Sequence, residues 1–508
     1  MPANNDVVDL RRKLGEISDI HNAIALLQWD QETCMPPKGA EARSFQLATL
    51  SALKHRLFTA ESMGNLVREL YAQSDDLNPA DAKLVQITLY DYERATKLPE
   101  EFVHTFAAEQ SKALEVWVKA RETSDFTLFR PNLQTLVDMA RQKAEYFGYE
   151  DSPYDALVEE FERGMTSAEL KRIFSDLATE QKNLVERIVS AHQPDLPWLT
   201  GTWDESAQWD FSLEVLRDMG YDFEAGRQDK SVHPFSIYFD TRDVRITTRL
   251  SEKALFSSLM SSIHEGGHAL YMQGHAERDR RTPLCDAPSL GMHESQSRMW
   301  ENMIGRSLPF WRHYLPVMRR YFPGRLDEVA PENIYAAVNL VEPSLIRVEA
   351  DECTYNLHII IRFELEVALI EGELSVNDIP DAWNAKVKEY LGLDVPNDAH
   401  GCLQDIHWSH GAFGYFPTYV LGNLYAAQLF DTMLDQIPGL WDKVEAADFG
   451  PILAWLREHV HAHGRRKLAP DLVRDVTGKD LSPAPYVAYL ESKFGALYGL
   501  RTQENGMS

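Results

Sequence analysis

Residues 251–273, SEKALFSSLMSSIHEGGHALYMQ, are the stretch on which the reading of this chain turns. Leu255, Leu259, Ile263 and Leu270 recur at helical spacing, so Ser251 to Gln273 is expected to form one helix with an apolar face. His264 and His268 stand four positions apart on it. They share a face one turn apart, and both imidazoles can reach a single metal ion. Glu265 directly follows the first histidine, where it can take a proton from an attacking water. The spacing alone arises by chance in long chains, so its weight depends on its surroundings. Gly266 and Gly267 each cost about 1 kcal/mol relative to alanine inside a helix. That cost makes sense if another backbone or a substrate comes close, or if helices pack tightly there.

Immediately upstream, Ile237, Phe239, Val244, Ile246 and Thr248 alternate with polar positions around Asp240-Thr241-Arg242-Asp243. This predicts a short hairpin over Phe235 to Arg249 that leads into the motif helix. An edge strand so placed can hold an extended peptide through its free N–H and C=O groups. Elsewhere the 3.6-residue period dominates. It predicts helices over Leu10–Trp29, Ala40–Phe58, Asn65–Ala72, Pro79–Leu98, Pro99–Ser124, Asn132–Phe147, Ser167–His192 and Ser206–Met219, and again from the motif helix to Tyr498. The expected fold is therefore mostly α, a large helical body with a small β-sheet beside the motif helix. No Gly/Ser-rich or Pro-rich linker and no repeat divides the 508 residues, so we expect one catalytic domain over 1–508, with two lobes around a central cleft as an option.

The 51 basic against 78 acidic residues give a net charge of −27. That argues against a nucleic-acid or anionic-membrane surface, since both call for clustered Lys and Arg. Met1 to Leu14 is polar and lacks the apolar core of a signal peptide, and no stretch approaches the ~18 apolar residues of a membrane span. The expected location is the cytoplasm. Cys34, Cys285, Cys353 and Cys402 are widely spaced and read as reduced, buried residues.

Two histidines leave a metal ion short of a third protein ligand. A helical pattern opening near Ser289 carries His293-Glu294-Ser295-Gln296, and Glu294 is the best candidate, 26 residues beyond His268. The alternatives are Glu277, Asp279 and Asp286 in the intervening loop, and His293, which reads better as a residue packed beside the site. Further on, Ser344 is expected to cap a helix bearing Arg347, Asp351, Thr354 and His358 as a polar stripe. Asp351 would then orient Arg347 from one turn away. Arginine suits recognition of a terminal carboxylate through two parallel charge-assisted bonds, while a buried structural ion pair is the competing reading. Gly401 to Val420 is dense in polar and aromatic groups suited to a cleft: Gln404, Asp405, His407, Trp408, His410, Tyr415 and Tyr419. Around Trp29 the aromatic, acidic and proline residues read as a staple between two N-terminal helices.

These pieces together resemble the Taq-type, or thermostable, metallocarboxypeptidase family. The matching segments are Trp29-Asp30-Gln31-Glu32-Thr33 with Met35-Pro36, His233-Pro234-Phe235, and Asp243-Val244-Arg245-Ile246-Thr247-Thr248-Arg249. His264 to His268 and His293 to Gln296 follow. Ile346-Arg347 with Ala350-Asp351 comes next, and finally Gly401 with Gln404-Asp405 and His407-Trp408. They stand in family order over most of the chain. The resemblance implies a helical body split by a long substrate groove, similar to angiotensin-converting enzyme and neurolysin. The implied activity is zinc-dependent release of single C-terminal amino acids from peptides. It also implies His264, His268 and Glu294 as metal ligands, Glu265 as general base, and Arg347 as the carboxylate receptor. By similarity to the converting-enzyme site, His407 would bind the peptide backbone, Tyr419 would donate to the oxyanion, and Tyr415 would help hold the carboxylate. Gln404 and His233 are further substrate-binding candidates.

The expected cofactor is Zn2+, with Co2+ as a possible substitute. The expected partners are peptides with a free C-terminal carboxylate, and a second copy of the chain as a homodimer. Broad specificity without cleavage after proline is expected. A zinc oligopeptidase or dipeptidyl carboxypeptidase would use the same chemistry with the carboxylate site farther from the metal. A non-catalytic, zinc-stabilised helical binding protein would have no need of Glu265.

Overall fold

The computed structural model describes residues 2–500. Twenty α-helices and one three-stranded sheet make up the described residues, as the periodicity predicts. The N-terminal helices follow the expectation closely: Ala40–Phe58, Glu61–Ala72, Pro79–Lys97, Glu100–Thr123, Phe126–Phe147, Ser167–Val189 and Glu205–Met219. The first helix is longer than expected, Pro2–Thr33. A cluster of buried hydrophobic residues runs from Ala113 to Tyr498 and takes in Leu259, Ile263 and Leu270 of the motif helix. Burial of that apolar face holds the helix in place. A smaller cluster, Val7, Leu10, Leu14, Val67, Leu84 and neighbours, knits the N-terminal helices together. No helix of the described residues is long and apolar enough to cross a membrane.

The sheet contains β1 (Gly226–Lys230), β2 (Ser236–Asp240) and β3 (Asp243–Thr248), in the order β1-β3-β2. The expected hairpin is β2–β3, antiparallel with Ser236 opposite Ile246. Strand β1, GRQDK, pairs parallel to β3 and was not legible, because only Gln228 on it is buried and no apolar alternation marks it. The Thr248 hydroxyl donates to the Ser258 carbonyl at 2.9 Å, fixing the sheet to the start of the motif helix.

That helix spans Ser257–Gln273, six residues shorter at its start than the periodicity suggests. The backbone of residues 251–252 is engaged elsewhere: Gln208 donates to the Ser251 carbonyl and the Trp203 N–H to the Glu252 carbonyl. The next helix, Leu290–Arg298, opens at Ser289, whose hydroxyl accepts from the Met292 N–H.

Three expectations require correction. Arg347 does not lie on a helix capped by Ser344. It opens a single 3-10 turn, Arg347–Glu349, and the helix proper is Tyr355–Glu371. Asp351 explains this, since its Oδ1 accepts from the N–H groups of Cys353 and Thr354 and so caps the later start. Trp29 packs edge-to-face on Phe235, 5.5 Å between ring centres, and staples the first helix to the sheet. The acid of the same motif does join the two N-terminal helices, Asp30 pairing with Arg43 at 2.6 Å. All four cysteines are free, but Cys34 is exposed.

Candidate metal centre and active site

His264, His268 and Glu294 converge, with one ligand atom from each within 4.8 Å of the others. Glu294 Oε2 lies 3.6 Å from His264 Nε2 and 3.4 Å from His268 Nε2. Two atoms each about 2.1 Å from one ion at the tetrahedral angle stand about 3.4 Å apart, so the spacing fits a bound divalent cation. The outer ring nitrogens are engaged: His264 Nδ1 with Glu301 Oε2 at 2.9 Å, and His268 Nδ1 with the His293 carbonyl at 3.1 Å. With both Nδ1–H groups donating, both Nε2 lone pairs face Glu294. Burial pulls the His264 pKa down, yet Glu294 and Glu301 outweigh it and hold it above the usual value. The same two carboxylates would favour a cation in place of that proton.

Glycine sets how closely the helices approach. A Cβ on Gly267 would lie 2.7 Å from Ser297 Cα and 2.8 Å from the Gln296 carbonyl oxygen, so the motif helix rests on the backbone of the Glu294 helix. A Cβ on Gly422, in the helix Pro417–Gln436, would lie 2.7 Å from Glu294 Cγ. The close backbone expected at Gly267 is that of a tightly packed neighbouring helix, so both readings from sequence meet here. His293 packs against His268, 4.3 Å between ring centres. The loop acids are otherwise occupied: Glu277 with Arg242 and Asp279 with Arg466. Asp286 is exposed and faces Arg465.

Sequence reasoning did not find Arg298, Glu301 and Arg306. Arg298 Nε donates to Glu294 at 2.7 Å and Nη1 to Glu301 at 3.2 Å, and Arg306 donates to Glu301 at 2.9 Å. Residues Met299–Gly305 form a π-helical turn, which carries Glu301 out of the α-helical register that spacing assumes.

Glu265 is buried, and burial pushes its carboxyl pKa up, against the pull of His264 and His268. It lines a cavity of about 640 Å³ together with His264, Glu294, Arg347, Tyr355 and Tyr419. A second cavity of about 540 Å³ is lined by Ser236, Ile237 and Tyr238 of β2 and by the first helix, and reaches His293. A third, about 520 Å³, shares His293 and Asp286 with it. These two meet at His293, while the metal cavity shares no lining residue with either.

The Arg347 guanidinium is buried and bound by Asp405, not by Asp351. Nε and Nη2 donate to Asp405 Oδ1 at 2.9 and 2.7 Å, and Nη1 donates to the Tyr355 hydroxyl at 3.1 Å. Arginine has five N–H donors, so two remain for the cavity. Gln404 accepts from the Arg347 N–H and donates to the Leu345, His400 and Gly401 carbonyls. Its amide is fully engaged in holding the Arg347 turn, not turned toward a ligand.

His407 Nε2 and the Tyr419 hydroxyl are 3.3 Å apart. Burial pushes His407 down to about 3, so its ring is neutral. Tyr415 stands behind Tyr419, 5.5 Å between ring centres, and Tyr355 is the tyrosine that touches Arg347. His233 is exposed at the rim, next to Pro234 of the metal cavity.

Residues 9–494 match the family model for carboxypeptidase Taq (M32) metallopeptidases. Carboxypeptidase 1 of Bacillus subtilis is 40% identical over 96% of this chain and 97% of its own length. Thermostable carboxypeptidase 1 of Thermus thermophilus is 43% identical over 94% and 95%. The crystal structure of the M32 carboxypeptidase from Deinococcus radiodurans superposes with a TM-score of 0.96 at 40% identity, covering 97% of this chain and all of that one. With a histidine, histidine and glutamate set that fits a metal ion and a family match over nearly its whole length, the chain belongs to the M32 (Taq) family of metallocarboxypeptidases.

Proposed function

We propose that the enzyme is a zinc carboxypeptidase of broad specificity that releases one C-terminal residue at a time, with His264, His268 and Glu294 as ligands. The carrying observation is that Arg347, with two N–H groups left without a partner, lines the same cavity as His264, Glu265 and Glu294. Zinc, or cobalt in its place, would polarise the scissile carbonyl and ease deprotonation of water. Glu265 takes the proton from the attacking water and passes it to the leaving amine. Its burial suits the return step, because a raised pKa favours the protonated form. Tyr419 donates to the developing oxyanion, and neutral His407, in contact with Tyr419, binds the peptide backbone. Arg347 receives the terminal carboxylate, backed by Tyr355. Tyr415 supports Tyr419, and Gln404 acts by fixing the Arg347 turn. The peptide upstream of the cut lies along β2, with His233 at the rim, and a proline before the scissile bond is excluded because it has no N–H to offer.

The reading further treats the chain as one catalytic unit that works as a homodimer in the cytoplasm. The dimer rests on the family resemblance. The compartment rests on free thiols and the −27 charge. The test is removal of the metal with a chelator, followed by addition of one equivalent of zinc or cobalt. Release of a single amino acid from an N-blocked dipeptide should disappear and return with either ion. Full activity after verified metal removal would refute the proposal.

A further inference from the structure

We infer that Arg362, a residue sealed in the core, keeps the carboxylate-binding site positively charged by sharing Asp405 with Arg347. The inference rests on the reading of Arg347 as the receptor for the C-terminal carboxylate.

Asp405 stands between two arginines. Its Oδ1 accepts from Arg347 Nε and Nη2, and its Oδ2 accepts from Arg362 Nε at 2.7 Å, with Arg362 Nη2 in ion-pair contact at 2.6 Å. Arg362 Nη1 donates to the His358 carbonyl at 2.6 Å. The three side chains are 8% (Arg347), 10% (Asp405) and 0% (Arg362) exposed. Arg362 therefore cannot touch a substrate. Its guanidinium lies over Trp383, 4.6 Å from the ring centre, and Arg362 does not line the metal cavity.

The charge count gives this arrangement its meaning. Arg347 needs Asp405 to fix its guanidinium, but an Arg347–Asp405 pair alone is neutral. A carboxylate arriving at a neutral buried pair meets the Asp405 charge almost as strongly as that of Arg347. Arg362 offsets Asp405 and leaves the cluster at +1, while Asp405 still holds Arg347 in position. Arginine serves here because it keeps its charge when buried. No nearby histidine can substitute, since burial pushes both His358 and His407 down to about 3. Glu366, one turn beyond Arg362, accepts from Tyr154, Trp408 and the Gly414 N–H and pairs with neither arginine. Burying a cation costs several kcal/mol unless it is well paired, so an arginine that did nothing but cap an already paired aspartate would be a poor bargain for stability.

Steady-state kinetics on an N-blocked dipeptide with a free carboxylate test this, using zinc-loaded enzyme. Arg362→Met should raise KM at least tenfold while kcat changes less than threefold. Arg362→Lys keeps the charge but not the planar fork and should stay within threefold of the parent KM. In the double variant Arg362→Met with Asp405→Asn, one charge of each sign is gone and +1 is restored, so KM should fall below that of Arg362→Met. If Arg362→Met does not fold, the lysine and double variants decide alone. An unchanged KM in Arg362→Met, a lysine variant as impaired as the methionine one, or a double variant no better than the single would overturn the inference. Arg347→Gln separates the two layers. If it leaves KM unchanged, the carboxylate reading itself fails. If it raises KM and Arg362→Met does not, the reading stands and only the role of Arg362 falls.

Discussion

The metal half and the carboxylate half of this site are built in opposite ways. Two of the three proposed metal ligands and the proposed base come from one helix turn, and the third ligand from the next helix. The carboxylate half draws Arg347 from a 3-10 turn, Arg362 from a helix and Asp405 from a loop, 15 and 58 residues from Arg347. Helical geometry alone gives the first its chemistry. The second exists only after three separate segments meet.

Breaking the metal half at its base should give the largest effect. Glu265→Gln should lower kcat about a thousandfold with zinc content and melting temperature unchanged. A loss under tenfold would move the base elsewhere. Glu301→Gln comes next. It leaves all three ligands intact but replaces the charged acceptor of His264 Nδ1 with a neutral amide oxygen, so zinc affinity should fall about 10–100-fold, read by competition with a chromophoric chelator. An unchanged affinity would make Glu301 a partner of Arg298 and Arg306 only.

Packing comes third. Gly267→Ala should cost about 1–2 kcal/mol of stability, overpacking against Ser297 exceeding the ~1 kcal/mol gained in helix propensity. Gly495→Ala, also in a helix but with nothing within 4 Å of the added methyl, should instead stabilise by up to about 1 kcal/mol. Equal melting temperatures for the two variants would contradict the close-approach account of Gly267.

A buried acid sits behind each half. Burial pushes Glu162, at the start of the Glu294 helix, up to about 8, and Glu366, behind Arg362, up to about 7. Both folded values exceed the unfolded one near 4.5, so the native state binds more protons in between. Stability should therefore fall as pH rises through that window, by at most about 1.4 kcal/mol per pH unit for each group. Glu162→Gln should flatten the slope between pH 4.5 and 8, as urea unfolding at several pH values would show. An unaltered slope would mean that Glu162 is ionised in the fold.

The contrast explains what was legible. His264, Glu265 and His268 were readable because their spacing is the helix's own, and Glu294 because a second helical pattern opens at Ser289. The β2–β3 hairpin was readable because Ile237, Phe239, Val244 and Ile246 alternate. Strand β1 was not, since Gly226 to Lys230 pairs through its backbone and buries one polar side chain. Glu301 was missed because a π-turn breaks the register in which its distance from Glu294 would be counted. Arg347 was picked out correctly as a cavity residue, but its partner was misassigned. Asp351 lies at helical spacing yet caps a helix that starts later, while Asp405 was visible only as one polar residue among several. Tyr355, which braces Arg347, carried no signal beyond an ordinary aromatic. Local periodicity thus finds ligands on one helix, and tertiary charge networks need coordinates.

The central claim is that the two halves act together, the metal half cutting one residue from a carboxylate held by Arg347. The most direct test compares an N-blocked tripeptide carrying a free C-terminal carboxylate with its C-terminal amide, in the parent enzyme and in Arg347→Gln. The parent should release one amino acid from the acid at least a hundredfold faster than it cleaves the amide, and Arg347→Gln should lose most of that preference. Release of a dipeptide, or an acid-over-amide preference that survives in Arg347→Gln, would contradict the account.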